Sequence, residues 1–169
     1  MAKLKCKNHK LLFEFVLYPD PDSYDWITYS IKISAIDEEN KELLALSSSE
    51  EYTLYFEACY EKEVPAICDG ILKVVSGEEK RFFFEPIDEK DFQLDVKTIN
   101  EELYLHISSE DFIILGNYQW NNKSYLGIKT QVKKEDLLEF VKQLRSEYEQ
   151  IESKFPGKTF LPKDKKMRK

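Results

Sequence analysis

The sequence predicts an α+β fold: a mostly antiparallel sheet or sandwich of about seven or eight strands, one mid-chain helix and one long C-terminal helix. Apolar and polar residues alternate along much of the chain, which is typical of half-buried strands. The period changes to that of a helix near the middle and again near the end. The 169 residues fit one domain, which we place at residues 1–154, followed by a basic tail at residues 155–169 that we expect to be flexible.

Period-two alternation predicts the early strands. Residues 11–18 form the first strand, which ends at a turn with two prolines because proline cannot pair in a ladder. Residues 25–36 alternate so regularly that one face should be buried while the other faces water. A third strand is predicted near residues 42–46, and residues 52–60 fit either a strand or the approach to a helix.

A helix is predicted over residues 63–75, where the apolar side chains follow helical spacing. Pro65 suits the first turn of this helix, and Gly77 suits its C-terminal end. Gly70 lies inside the segment and disfavours a helix by up to about 1 kcal/mol relative to alanine.

Alternation returns after this helix and predicts five more strands. The run Phe82, Phe83 and Phe84 is interpreted as a strand with core residues on both faces. Residues 119–123 have the composition of a hairpin tip between the last two strands. The five predicted strands cover residues 81–86, 92–97, 103–108, 112–118 and 125–132.

The C-terminal helix is predicted over residues 135–152, with apolar residues along one stripe and charges opposite. At about 1.5 Å per residue it would span roughly 27 Å, and we expect it to lie against a face of the sheet. The stripe consists of Leu137, Leu138, Val141, Leu144, Tyr148 and Ile151.

Charge is distributed unevenly along the chain. The formal net charge is −7, but residues 1–10 contribute +4 and residues 155–169 contribute +5, which leaves −16 for residues 11–154. Nucleic-acid binding requires a basic face that can meet phosphates, so the main body is predicted not to bind nucleic acid. An acidic body suits a basic protein partner or serves solubility alone, and both interpretations stay open.

The cysteines and the hydropathy pattern predict a cytoplasmic protein. Cys6, Cys59 and Cys68 are odd in number and form no CxxC pair, which predicts free thiols in a reducing compartment and no metal site. The N-terminus lacks the apolar core of a signal peptide. Because no apolar run approaches the roughly 18 residues of a membrane span, we expect no membrane partner.

The chain carries little of the chemistry that enzymes use. His9 and His106 are its two histidines, and the alternation around His106 predicts a sheet-surface side chain that shares a face with Tyr104. The sequence contains no nucleophile elbow, phosphate-binding loop or dinucleotide fingerprint. We therefore predict a protein that is not an enzyme and has no catalytic residue and no cofactor. An enzyme that uses scattered carboxylates is the less favoured alternative.

Aspartates and tryptophans supply the candidate binding residues. Asp20, Asp22 and Asp25 form an acidic turn that lacks the glycine and terminal glutamate of an EF-hand, which favours a solvated turn over a metal site and leaves contact with a partner open. Trp26 lies on the strand face opposite the core-facing residues, and Trp120 lies near the predicted hairpin tip. Tryptophan is favoured as an interface anchor, although packing under loops or against the last helix would also explain both residues.

Three short segments also carry a family pattern. They are Tyr18-Pro19-Asp20 with Asp25-Trp26-Ile27, then Phe84-Glu85-Pro86 leading into residues 92–96, and last a strand at residues 126–132 followed by residues 137–140 and Phe155-Pro156. In this order they resemble the WapI-like immunity proteins, small bacterial proteins encoded beside polymorphic toxins. The chain departs from that family in having no Ala-Asn before Trp26, no arginine soon after Phe155-Pro156, and an additional basic tail.

These observations predict a non-catalytic protein-binding domain with a basic protein as its partner. The resemblance implies an immunity protein that occludes the substrate groove of a basic, nuclease-type toxin, with charge steering the encounter. The alternative is an accessory or structural interaction module that joins a host complex without inhibiting anything. The sequence does not indicate an oligomeric state.

Overall fold

The computed structural model describes residues 1–6, 11–18, 29–35, 51–56, 63–86, 92–109 and 126–154. Within these residues it contains two helices and eight strands, and the strands form two four-stranded antiparallel sheets. The predicted α+β class is therefore confirmed. The predicted strands at residues 42–46 and 112–118, the hairpin tip at residues 119–123 and the tail at residues 155–169 lie outside the described residues.

The first sheet contains four strands that pair in chain order, so each strand neighbours the one before it. Its core face is made by large apolar side chains in register, with Leu4 opposite Phe13 and Phe15 opposite Ile31. Phe15 also stacks on Tyr29, with ring centroids 4.8 Å apart. The strands are β1 Ala2–Cys6, β2 Leu11–Leu17, β3 Tyr29–Ala35 and β4 Glu51–Phe56.

Strand β1 was not predicted from the sequence. Ala2, Leu4 and Cys6 are buried while Lys3 and Lys5 are exposed, so the period-two pattern is present in the residues themselves. The segment is short and basic, and pairing with β2 is what holds it in the sheet. Residues 2–6 are thus part of the first sheet and contribute three side chains to the core.

The second sheet repeats the order of the first and is followed, like the first, by a helix. Its strands also pair in chain order. The elements are helix α1 Glu63–Ser76, strands β5 Arg81–Phe84, β6 Phe92–Ile99, β7 Glu102–Ser109 and β8 Leu126–Val132, and helix α2 Lys134–Lys154.

Each helix packs against the sheet of the other half. Helix α1 lies against β5 and β6, α2 lies against β1 and β2, and the two helices pack on each other. Phe140 of α2 contacts Phe13 of β2, with ring centroids 5.7 Å apart. The expectation that the last helix lies against a sheet is confirmed.

The two halves share a further feature on the outer faces of their sheets. Glu14 on β2 is only 4% exposed and forms an ion pair with Lys3 on β1, whose Nζ lies 2.8 Å from Oε1. Asp95 on β6 is also 4% exposed and pairs with Arg81 on β5. Each sheet therefore carries a buried carboxylate on its second strand that is neutralised from its first strand.

Two apolar residues lie elsewhere than the sequence predicted. Leu138 is 40% exposed, whereas Phe140, which was left out of the predicted stripe, is buried. Consecutive helical residues are about 100° apart, so Leu137 and Leu138 cannot both face the core centre. Phe83 is 47% exposed on the outer face of β5, and the two-sided interpretation of that strand is therefore wrong.

A strained turn connects β6 to β7. Ile99 pairs with Glu102, so Asn100 and Glu101 form a two-residue hairpin loop. Their φ angles are 49° and 66°, which is the positive-φ pair of a type I′ turn. Asparagine tolerates this conformation, whereas the Cβ of glutamate is crowded in it.

We expect Glu101→Gly to raise the free energy of unfolding by about 0.5–1 kcal/mol, because glycine removes the Cβ strain at some cost in chain entropy. Urea denaturation of the variant and wild-type proteins measures the difference. Asn100→Gly is the matched control and should gain less. Equal stability of the Glu101→Gly and wild-type proteins would contradict a strained turn.

Candidate functional site

Five residues were predicted from the sequence to bind a partner. All five lie outside the described residues, so their role in binding stays a prediction. They are Asp20, Asp22, Asp25, Trp26 and Trp120. Most of the net negative charge of residues 11–154 also lies outside the described residues. Between residues 11 and 154, the described residues include eleven Lys and Arg against sixteen Asp and Glu, which is −5 of the −16.

The described residues form two grooves along the pair of helices. Helices α1 and α2 run antiparallel, since the start of α1 lines one cavity with the end of α2, and the end of α1 lines another with the start of α2. Between the cavities, Arg145 Nη2 donates a hydrogen bond of 2.6 Å to Asp69 Oδ1. This ion pair joins the helices at the surface and separates the two grooves.

The first of these, which we call the acidic groove, has a volume of about 370 Å³. Its floor is apolar and consists of Val64, Pro65, Cys68 and Tyr148, of which all but Pro65 are buried. Its rim carries three carboxylates against one guanidinium. The rim residues are Asp69, Arg145, Glu149 and Glu152.

The rim leaves two carboxylates available to a ligand. Arg145 is already paired with Asp69. Glu149 and Glu152 are exposed, and no hydrogen bond or ion pair within the described residues engages either of them. The acidic groove therefore presents negative charge above an apolar surface.

Cys68 in the floor of the acidic groove is a packed thiol. Its Sγ donates a long hydrogen bond of 3.9 Å to the carbonyl oxygen of Val141. Burial raises the pKa of the Cys68 thiol to about 11, so the reactive thiolate is scarce near neutral pH. The sequence-based interpretation of Cys68 as a core residue is confirmed.

The second groove, which we call the leucine groove, has a volume of about 460 Å³. Leu72 of α1 and the exposed Leu138 of α2 are its largest apolar side chains, with Val75 beside them. Its charges balance, with two acidic and two basic residues. These are Asp69, Lys73, Glu78 and Lys134.

The outer face of the second sheet is organised around Asp95. Arg81 donates to it from Nε at 2.7 Å and from Nη2 at 3.3 Å, and Lys97 Nζ donates at 3.1 Å. Burial by itself would raise the pKa of Asp95, but the hydrogen bonds from Arg81 and Lys97 outweigh it and lower the pKa. Asp95 is thus ionised and paired.

Two cation–aromatic contacts flank this network. The Arg81 guanidinium lies 5.5 Å from the ring centroid of Phe83, and Lys129 Nζ lies 5.1 Å from that of Tyr104. Arg81 and Lys97 are paired with Asp95, and Arg81 and Lys129 each lie over an aromatic ring. Paired charges of this kind are typical of structural networks on a sheet surface. We assign this face to stability.

His106 lies in the same face, opposite Asp95 on β6 and Lys129 on β8. The prediction of a sheet-surface histidine on the same side as Tyr104 is confirmed, since both are half-buried while the residues between and after them are buried. Burial lowers the pKa of His106 below its ordinary value of 6.5; Asp95 opposes the lowering, and Lys97 and Lys129 add to it.

This lowered pKa makes stability depend on pH. Below pH 6.5 the unfolded chain takes up a proton at His106 before the folded protein does, so stability falls as the pH drops from 6.5 through the folded pKa. We expect His106→Gln to remove this loss. Urea midpoints measured on either side of that window test it, with His9→Gln as the matched control. A decline that persists in His106→Gln would assign the effect to other groups.

Within the described ranges, no three His, Cys, Asp or Glu side chains come together in a way that could hold a metal ion. None of the helices in the part of the chain that the structure describes has the length and hydropathy needed to cross a membrane.

No family model matches this chain, and no curated protein matches it. Among solved structures, the chain is similar to the plant transcriptional regulator PBF-2, with 10% sequence identity and a TM-score of 0.40 over 94% of this chain and 89% of that chain. A similarity of this size supports no conclusion about fold or function. The interpretation of the grooves therefore depends on their own geometry.

Proposed function

We propose that this chain is a non-catalytic protein-binding domain, that its partner is a basic protein, and that the acidic groove is part of the binding surface. The observation that carries the proposal is that one cavity has both an apolar floor and two exposed carboxylates, Glu149 and Glu152, on its rim. Interfaces combine an apolar centre with a polar rim in this way.

The two parts of the groove would serve binding differently. An apolar side chain of the partner that packs on Pro65, the one floor residue that is not buried, would gain up to about 1.5–3 kcal/mol if the contact removed it fully from water. The rim carboxylates would attract a basic surface and raise the association rate, while they disfavour an acidic partner. The floor thus supplies affinity and the rim supplies selectivity.

The resemblance to the WapI-like immunity proteins leads us to propose that this partner is a toxin domain and that the protein acts in the cytoplasm. A nuclease binds phosphates through a basic groove, and an acidic protein that covers that groove would exclude the substrate. The −16 charge of residues 11–154 supports steering toward such a surface.

Growth of cells that express the toxin domain encoded beside the gene tests this function. Co-expression of this chain is expected to restore growth, and the two proteins should co-purify as one complex. Failure of both rescue and complex formation would overturn the proposal. A complex that forms without rescue would overturn the immunity role and favour an accessory interaction module.

A further inference from the structure

The acidic groove and the leucine groove are parts of one continuous surface. Asp69 lines both cavities, and its ion pair with Arg145 lies between them. On α1, Pro65 in the acidic groove and Leu72 in the leucine groove are seven residues apart, which is about two helical turns or roughly 10.5 Å. The surface therefore offers two apolar depressions at about that spacing, with the Asp69–Arg145 ion pair between them.

The spacing of roughly 10.5 Å between the two depressions favours a helical ligand over an extended one. On an amphipathic helix, residues i and i+7 lie on one face at roughly 10.5 Å. On an extended strand, residues that share a face are about 6.6 or 13 Å apart, and neither distance matches. The walls of both grooves are helices, whose backbone groups are already paired, so a strand could not add to them by hydrogen bonding.

Charge favours a basic helix. The acidic groove has a net charge of −2 from Asp69, Glu149, Glu152 and Arg145, whereas the charges of the leucine groove balance. Basic residues of the ligand would therefore cluster around the anchor that enters the acidic groove. The exposed Leu138 gives the second anchor an apolar wall.

We propose that the groove pair binds an amphipathic basic helix of the partner, with one apolar anchor in each groove and a lysine or arginine beside Glu149 and Glu152. This inference rests on the proposed function and adds to it the shape of the ligand.

Two stapled helical peptides of equal charge test the inference on the full chain. One carries leucines at i and i+7 among lysines, and in the other the second leucine is moved to i+5, on a different face. Fluorescence anisotropy measures binding. We expect the first peptide to bind at least tenfold more tightly than the second, and Leu138→Asp to abolish that advantage. Ile99→Asp, an exposed apolar residue in the second sheet, should leave it unchanged.

Equal binding of the two peptides, or an unchanged preference in Leu138→Asp, would overturn the helix assignment. The toxin domain separates this failure from failure of the proposed function. If the toxin domain binds the wild-type chain and the Leu138→Asp variant equally, the proposed function stands and the helix inference fails. If the toxin domain does not bind the wild-type chain, the proposed function itself fails.

Discussion

Gly70→Ala is expected to destabilise the protein by about 1–2 kcal/mol, although alanine is the better helix former. Gly70 is buried in the middle of α1, and a Cβ at this position would overlap the ring of Phe82 on β5. The overlap falls on ring atoms rather than on the end of a flexible chain, so the ring or the helix must move. Overpacking of this kind costs about 1–3 kcal/mol, and more than offsets the gain of up to about 1 kcal/mol in propensity.

Chemical denaturation measures the sign of this change, and the sign is informative. If Gly70 were an ordinary helix residue, the substitution would stabilise the protein. The double variant Gly70→Ala with Phe82→Ala is the control, because removing the ring should relieve the overlap and make the double variant more stable than the two single effects predict. A Gly70→Ala protein as stable as wild type would contradict the close approach of α1 to β5.

The second large effect concerns binding. Reversing two charges in Glu149→Lys with Glu152→Lys is expected to slow association with the proposed basic partner by about tenfold or more at low salt. The change replaces the two available carboxylates of the acidic groove by cations that repel the partner. It should also weaken the dependence of the rate on ionic strength. Stopped-flow or surface-binding kinetics with the toxin domain provide the measurement.

A matched pair on the same helix separates local from general charge effects. Glu135→Lys with Glu139→Lys changes the net charge equally but lies outside both grooves. We expect this control to alter the association rate by no more than about threefold. If both pairs slowed association equally, net charge alone would control the encounter and the acidic groove would not be the site.

Most of the described elements could be predicted because their patterns are local. The stripe of α2 and the alternation in β3 and β7 each require only a few neighbouring residues to be interpreted. Strand β1 was missed because its burial depends on β2, and Phe83 was misplaced because three consecutive phenylalanines do not indicate which one faces out.

The repeated order of four strands and a helix was not visible in the sequence. The two helices differ in length, at 14 and 21 residues, and the equivalent buried acids differ in type, since one is Glu14 and the other Asp95. Shared topology requires only similar patterns of burial, which many sequences can provide.

The grooves could not be predicted because they form between distant segments. Asp69 and Arg145 are 76 residues apart in the chain and meet only after each helix has packed on the opposite sheet. The sequence contained one signal of an exposed apolar side chain in this region. Leu137 and Leu138 are adjacent in a helix, so only one of them can face the core centre. The net charge favours a basic partner but does not indicate which surface would meet it.

Calorimetric titration of this chain into the proposed partner, a toxin domain that we expect to be encoded beside its gene, tests binding without catalysis most directly. We predict a saturable one-to-one complex with a dissociation constant of about 10⁻⁸ M or tighter, as in interfaces of standard size. Both proteins should be recovered from the complex with unchanged masses. Absence of binding at micromolar concentrations, or a covalent change in the toxin domain, would contradict the account.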